Sequence, residues 1–259
     1  MTEGGGVMKE FKLTPLSNLM GAEISGVDLR QKINKITRDK LLNAIKKYLV
    51  VCIKNQDLNP AELADVSRIF GNPKKYFVQH ETVDNIPEVI VVSNRNSDNK
   101  PRVYASHWHT DDSYREKPAT LTFIYPDTLP KNGGGTDFIN CYSVFQNLPE
   151  NLKNKISNLS AIHKWQSRRN VSKVAQLSKE QEEETPEVEH PLIRIHPVSG
   201  KKSLYINPNR IDHIAGFDDL ESDKLLDELY EFSFQSKFQY SHSSVSYTHL
   251  RAHETLMNL

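Results

Sequence analysis

A histidine and an aspartate two positions apart constrain this chain more than any other short pattern in it. They are His109 and Asp111, in the segment Trp-His-Thr-Asp that begins at Trp108. In an extended segment residues i and i+2 point to the same side, so the imidazole and the carboxylate can reach one ion. These are two of the three ligands of the facial triad that suits non-haem Fe(II), which leaves positions open for oxygen and a chelating co-substrate. We therefore predict a metal site here, completed by a second histidine from far along the chain.

An isolated His-x-Asp pattern also has a simpler interpretation, because the chain contains 10 histidines. It is compatible with an exposed loop histidine beside an aspartate that caps a helix. The neighbouring sequence favours the metal site. Residues Ala119–Tyr125 are predicted to form a strand with Leu121 and Phe123 on one face, and a glycine-rich turn leads into a second short strand, Thr136–Asn140.

Two motifs carry a family resemblance. Trp-His-Thr-Asp at 108–111 is followed by Gly-Gly-Gly-Thr-Asp-Phe at 133–138, and a further segment runs from His190 to Gly200. Together they resemble the TauD/TfdA family of Fe(II)- and 2-oxoglutarate-dependent dioxygenases. The resemblance covers nearly the whole chain, from about Phe11 to His242.

The resemblance implies a mainly β fold with flanking helices, a double-stranded β-helix of jelly-roll type, which many short strands also favour. It implies Fe(II) held by His109 and Asp111, with 2-oxoglutarate as co-substrate and Thr136 at its distal carboxylate. In the second motif the family usually has an aspartate where this chain has Gly135. Tyr104 and Asn207 are candidates for the substrate pocket, although a packing or turn role explains each equally well. The metal carries the oxygen chemistry, so no side chain is assigned a catalytic role.

The C-terminal segment departs from the family. After the strand that begins at Phe238, the family continues to a distal histidine and an arginine that binds 2-oxoglutarate. Residues 245–259 have no family counterpart and look like a translated sequencing adaptor. We therefore expect a dioxygenase domain at 8–244, incomplete at its C-terminus and impaired, followed by a non-native tail. His249 and His253 have a spacing that can hold zinc on a helix, but a tail without evolved function is the preferred interpretation.

Composition limits the class of protein. Lys+Arg and Asp+Glu balance at 33 each, so the net charge provides no electrostatic attraction to nucleic acid or to an anionic membrane. No apolar run approaches the roughly 20 residues that span a bilayer. Residues 1–7 are glycine-rich and expected to be disordered, while Cys52 and Cys141 indicate reduced thiols in a cytoplasmic protein. The length of 259 residues suits one large domain, either alone or as a homo-oligomer.

Two other functional classes stay open. A metal-dependent hydrolase or a zinc protein would use His107, His109 and Asp111, whereas a non-catalytic β-barrel binding module needs no metal. A dioxygenase would act on a small organic substrate with dioxygen and would release succinate and CO2. Taurine is disfavoured, because Tyr76 and Gln79 do not match the residues that the taurine enzymes place there.

Hydrophobic periodicity predicts the flanking elements. Helices are expected from a Thr37 cap through Tyr48, from Pro60 to Phe70 with a capping box at Asn59, and over Asp219–Phe232. Further strands are predicted at 11–15, 22–27, 49–53, 88–93, 192–196, 203–207 and 238–242. His163, near the end of another strand, is expected to be a hydrogen-bonded structural histidine.

Overall fold

The structure is a computed structural model that describes residues 10–76, 82–93, 107–128, 134–170, 177–197 and 199–243, and the backbone of two strands at 247–252 and 255–258. Residues 1–7 and Tyr104, which carried predictions, lie outside the described residues. The chain divides into two compact units. The first comprises 1–91, 123–133 and 244–251, and the second comprises 92–122, 134–243 and 252–259.

The described residues form six α-helices: α1 (Lys35–Tyr48), α2 (Pro60–Phe70), α3 (Cys141–Asn147), α4 (Glu150–Ile156), α5 (Lys179–Glu184) and α6 (Asp219–Ser233). The predicted capping box of α2 is confirmed, since Asn59 and Glu62 bond reciprocally to each other's backbone N–H. The predicted Thr37 cap of α1 is wrong. Asn34, in extended backbone, accepts from the Thr37 N–H instead, so the helix begins earlier. None of these helices has the length and apolar character needed to cross a membrane.

The described residues also form fifteen strands: β1 (Lys12–Pro15), β2 (Ala22–Ser25), β3 (Val50–Lys54), β4 (Thr82–Val83), β5 (Ile86–Ile90), β6 (Leu121–Ile124), β7 (Thr136–Asn140), β8 (Ser160–His163), β9 (Val188–Pro191), β10 (Ile193–Ile195), β11 (Lys202–Leu204), β12 (Ile211–Ile214), β13 (Gln239–His242), β14 (Tyr247–Ala252) and β15 (Thr255–Asn258).

The strand predicted at 88–93 is displaced toward the N-terminus. Asn85 takes a positive φ of 62° and allows a tight turn from β4 into β5, and the strand ends before Val91 and Val92.

A sheet with the strand order β1-β2-β3-β14-β6 lies mainly in the first unit. Of β6, only Phe123 and Ile124 belong to this unit. The predicted opening hairpin is confirmed by the antiparallel pairing of β1 with β2. Strands β2 and β3 are parallel, and α1 lies between them in sequence, as a parallel crossover requires. Residues Val50 through Ile53 are fully buried, as expected of a central strand.

The segment predicted to be a non-native tail is paired in both units. The backbone of β14 runs antiparallel to β3, with Tyr247 opposite Lys54 and Arg251 opposite Val50. The backbone of β15 runs antiparallel to β7. These pairings occupy strand edges that would otherwise present unpaired N–H and C=O groups.

The second unit contains the sheets β13-β7-β15 and β12-β8-β9 and the hairpin β10-β11. The hairpin confirms the turn predicted around Gly200, which has a positive φ of 68°. Helix α6 places Leu225, Leu226 and Leu229 in the core of this unit, in the register that the sequence predicts. The remaining core residues come mainly from α3, α4 and the strand interiors.

Candidate metal centre

His109 lies in extended backbone, where it makes an isolated β-bridge. Its Nδ1 is 2.9 Å from the carbonyl oxygen of His107. Because a carbonyl can only accept, this contact fits the neutral tautomer that carries its proton on Nδ1 and has a lone pair on Nε2. That is the tautomer in which a histidine binds a metal through Nε2.

Asp111 faces the same ring, as the two-residue spacing predicts. Its Oδ1 lies 3.5 Å from His109 Nε2, and both side chains are half-buried. Its Oδ2 accepts a hydrogen bond of 2.6 Å from the hydroxyl of Thr122 in β6. One carboxylate oxygen is therefore directed at the imidazole, while the other is held by a neighbouring strand.

A turn reverses the chain immediately after Asp111. Asp112 takes a positive φ of 56°, a conformation that aspartate tolerates better than most residues. The turn is closed by the Arg115 N–H, which donates to the Asp112 carbonyl at 2.9 Å. The Asp112 side chain accepts from the Tyr114 hydroxyl at 3.2 Å.

The buried side chain of Asn207 holds this turn by hydrogen bonds. Its amide nitrogen donates to the carbonyl of Thr110 and to the hydroxyl of Ser113, both at 2.8 Å. Its amide oxygen accepts from the Asn209 N–H at 3.2 Å. Asn207 and Ser113 are fully buried and Thr110 is almost so. Since every polar group of the Asn207 side chain is already engaged, this geometry favours a positioning role over the predicted contact with substrate.

The residue before His109 is anchored by aromatic packing. Trp108 stacks on Phe234 with ring centroids 5.9 Å apart, and Phe234 stacks on Tyr230 of α6 at 5.8 Å. These contacts attach the segment that enters the metal motif to the end of a well-packed helix. Such rigid support reduces the freedom of the predicted ligands that follow.

Thr136 is buried at the start of β7, opposite His242 of β13. The Gly135 position next to it leaves no room for a side chain, because a Cβ there would lie 2.9 Å from the His242 carbonyl oxygen. This close approach of two strands gives a physical reason for glycine where the family usually has aspartate. The proposed contact of Thr136 with the co-substrate remains a prediction.

A buried cluster of His163, His190 and Tyr205 lies in the same unit. The three rings pack with centroids 5.1–5.6 Å apart, and the Arg194 guanidinium lies 4.5 Å from the Tyr205 ring centroid. His190 Nε2 contacts the Arg115 carbonyl at 3.0 Å, so the cluster also supports the turn after the motif. His163 was expected to be hydrogen-bonded, but within the described ranges neither of its ring nitrogens has a partner.

The cluster predicts a dependence of stability on pH. Burial, followed by the charges of His190 and Arg194, holds the pKa of His163 well below its ordinary value, so His163 stays neutral in the folded protein. Below pH ~6.5 the unfolded chain binds a proton that the folded chain does not, and stability therefore falls with falling pH. We expect a loss of about 1 to 2 kcal/mol from this residue between pH 6.5 and 5. Urea unfolding of the wild type and of His163→Phe at both pH values measures it. An equal loss in the two proteins would contradict this assignment.

The donor set fits a divalent ion. Two ligands at right angles, each about 2.1 Å from an ion, are about 3 Å apart, so a small movement would bring His109 Nε2 and Asp111 Oδ1 onto one ion. Across the described ranges, no group of three or more His, Cys, Asp or Glu side chains is placed to hold a metal. The structure therefore brings together two of the predicted ligands.

Comparison with known proteins decides the family. The family described as taurine catabolism dioxygenase TauD, TfdA family matches residues 12–244. The chain belongs to this family. As a TauD/TfdA protein it is 30% identical over 238 residues to the α-ketoglutarate-dependent sulfonate dioxygenase of Saccharomyces cerevisiae, a match that covers 88% of this chain and 56% of that protein. It is 26% identical over 241 residues to the α-ketoglutarate-dependent 2,4-dichlorophenoxyacetate dioxygenase of Cupriavidus pinatubonensis, covering 88% of this chain and 84% of that protein.

A solved structure agrees with the TauD/TfdA assignment. The crystal structure of a taurine dioxygenase from Burkholderia xenovorans superposes with a TM-score of 0.79 and 25% identity, covering 96% of this chain and 83% of that one. This likeness confirms the predicted jelly-roll class. The match covers 56% of the length of the Saccharomyces cerevisiae relative and 57% of the length of a putative α-ketoglutarate-dependent sulfonate dioxygenase of Schizosaccharomyces pombe, so the chain spans little more than half of each. The TauD/TfdA family implies 2-oxoglutarate as co-substrate and typically iron.

Sequence reasoning missed Thr122 and His190 as contributors to this site, and it assigned Asn207 to the substrate pocket and not to the support of the turn. The contact of Thr122 with Asp111 joins residues 11 positions apart, and Asn207 reaches Thr110 across 97 positions. His190 reaches Arg115 across 75 positions. Of these contacts, only that of Thr122 is partly indicated by the sequence. The alternation along β6 places Thr122 on the face opposite Leu121 and Phe123.

Proposed function

We propose that this chain is an Fe(II)- and 2-oxoglutarate-dependent dioxygenase that hydroxylates a small organic substrate. The observation that carries the proposal is the convergence of His109 Nε2 and Asp111 Oδ1 at 3.5 Å. In each side chain the other polar atom is already engaged, by the His107 carbonyl and by Thr122. A nitrogen lone pair and a carboxylate charge held in this way are suited to Fe(II).

When bound, the iron and the co-substrate supply the oxygen chemistry, in which dioxygen is consumed, 2-oxoglutarate yields succinate and CO2, and one oxygen atom enters the substrate. The protein's own residues position the reactants. His109 and Asp111 would hold the ion, the Asn207 amide holds the turn that carries Asp111, and the Thr136 hydroxyl would donate to the distal carboxylate of 2-oxoglutarate. Among the described residues, the structure brings two of the predicted ligands together, so the tests use Fe(II) in excess.

The substrate is proposed only as a class. The yeast and Cupriavidus relatives are named for a sulfonate and for 2,4-dichlorophenoxyacetate. We therefore propose that a screen should begin with small sulfonates and aryloxyacetates. Both cysteines are thiols buried in the core, in keeping with our proposal that the protein works in the cytoplasm.

The test is an anaerobic titration of the wild-type protein with Fe(II) and then with 2-oxoglutarate. A weak visible charge-transfer band is expected when the co-substrate chelates protein-bound iron, and succinate should form once oxygen is admitted. Protein-bound iron without a band would overturn the dioxygenase and favour a metal-dependent hydrolase. The absence of any bound metal at saturating Fe(II) would favour the non-catalytic binding module.

A further inference from the structure

The hydroxyl of Thr122 makes a close contact with the predicted carboxylate ligand. Thr122 lies in β6, and its Oγ1 donates to Asp111 Oδ2 at 2.6 Å. That length is typical of a hydrogen bond from a hydroxyl to an ionised carboxylate. The contact is formed within the second unit, on the side of Asp111 that does not face His109.

A carboxylate can hold an ion through one oxygen or through both. In this structure the two oxygens have different surroundings, because Oδ1 faces the His109 ring at 3.5 Å and Oδ2 is held by Thr122. For Oδ2 to approach the same ion, the Asp111 carboxylate would have to turn, and the hydrogen bond from Thr122 opposes that turn. The hydrogen bond therefore favours attachment through Oδ1 alone.

We propose that Thr122 is a positioning residue that keeps Asp111 a one-oxygen ligand and so leaves an adjacent position on the ion for 2-oxoglutarate. The inference rests on the proposed function. Without the hydroxyl, Oδ2 loses this hydrogen bond and competes more readily for the position that the co-substrate needs. Loss of Thr122 then weakens co-substrate binding while the ion itself stays at least as tightly held.

A merely structural role for Thr122 predicts a different pattern. If the hydroxyl only anchors the motif to β6, its loss disorders Asp111 and weakens Fe(II) and 2-oxoglutarate binding together. The ratio of the two affinities separates these cases, and it does so without any measurement of turnover.

The experiment compares the wild type with Thr122→Val, which removes the hydroxyl and keeps the shape. Fe(II) affinity is measured by anaerobic titration, and 2-oxoglutarate affinity is measured from the charge-transfer band on the iron-loaded protein. We expect about a tenfold weaker 2-oxoglutarate affinity, the size associated with one hydrogen bond to a charged group, with Fe(II) affinity unchanged or tighter. Thr122→Ser should restore the wild-type value. Thr120→Val, the same change at an exposed position, is the matched control.

Thr122→Ala repeats the test if the valine variant does not fold. A proportional loss of Fe(II) and 2-oxoglutarate affinity, or wild-type affinities in both hydroxyl-free variants, would overturn the inference and leave the proposed function standing. A wild-type protein that forms no band would overturn the proposed function itself, and this inference with it.

Discussion

Replacing His109 by alanine should lower the affinity for Fe(II) by at least about 100-fold, because even the outer partners of metal ligands contribute 10–100-fold. The ring supplies one of the two donors that the structure brings together. The ring is half-buried and outside the core clusters, so its removal should change the free energy of unfolding by less than about 1 kcal/mol. Anaerobic Fe(II) titration and urea unfolding of the same preparation measure the two effects.

Two further histidine variants make this result specific. His196→Ala, on the loop after β10, removes an imidazole far from the motif in sequence and should bind Fe(II) like the wild type. His107→Ala distinguishes the proposed iron site from the rival zinc site. A zinc site built from His107, His109 and Asp111 would lose metal affinity in this variant too, whereas the proposed iron site would not. The side chain of His107 is exposed, and its carbonyl contacts His109 Nδ1. Undiminished Fe(II) affinity in His109→Ala would contradict the proposed metal centre.

The second large effect is expected from Asn207→Asp. This change keeps the shape of the side chain but removes both N–H donors to Thr110 and Ser113 and places a charge at a fully buried position. An uncompensated buried charge costs about 3 to 5 kcal/mol. At about 2–4 °C per kcal/mol for a protein of this size, the unfolding midpoint should fall by roughly 10 °C. Fe(II) affinity should fall as well, because the turn that carries Asp111 loses its support.

The matched control is Asn147→Asp. Asn147 is exposed at the end of α3, and its amide donates to the Ser143 carbonyl at 2.9 Å. We expect its unfolding midpoint to stay within a few degrees of the wild type, as for most surface substitutions. If Asn207→Asp shows an unfolding midpoint as high as that of Asn147→Asp, the positioning role assigned to Asn207 is wrong.

The sequence predicted helices well where their boundaries and buried faces depend only on residues close together in the chain. The capping box at Asn59 and the leucine register of α6 depend on contacts within a few residues, and both are confirmed. The start of α1 was misplaced because two residues could cap it, and the extended backbone at Asn34 decided between them. The strand predicted at 88–93 was displaced because the β4–β5 turn at Asn85 sets its register.

The sequence by itself determined that an imidazole and a carboxylate lie on one side of an extended segment, because that depends only on the two-residue repeat of a strand. It also determined the family, through motifs that are contiguous in the chain. Only the tertiary structure decided how the two ligands are held. Thr122 and Asn207 reach the motif from 11 and 97 positions away. No periodic rule encodes such contacts, because they form only when segments that are separate in the sequence pack together.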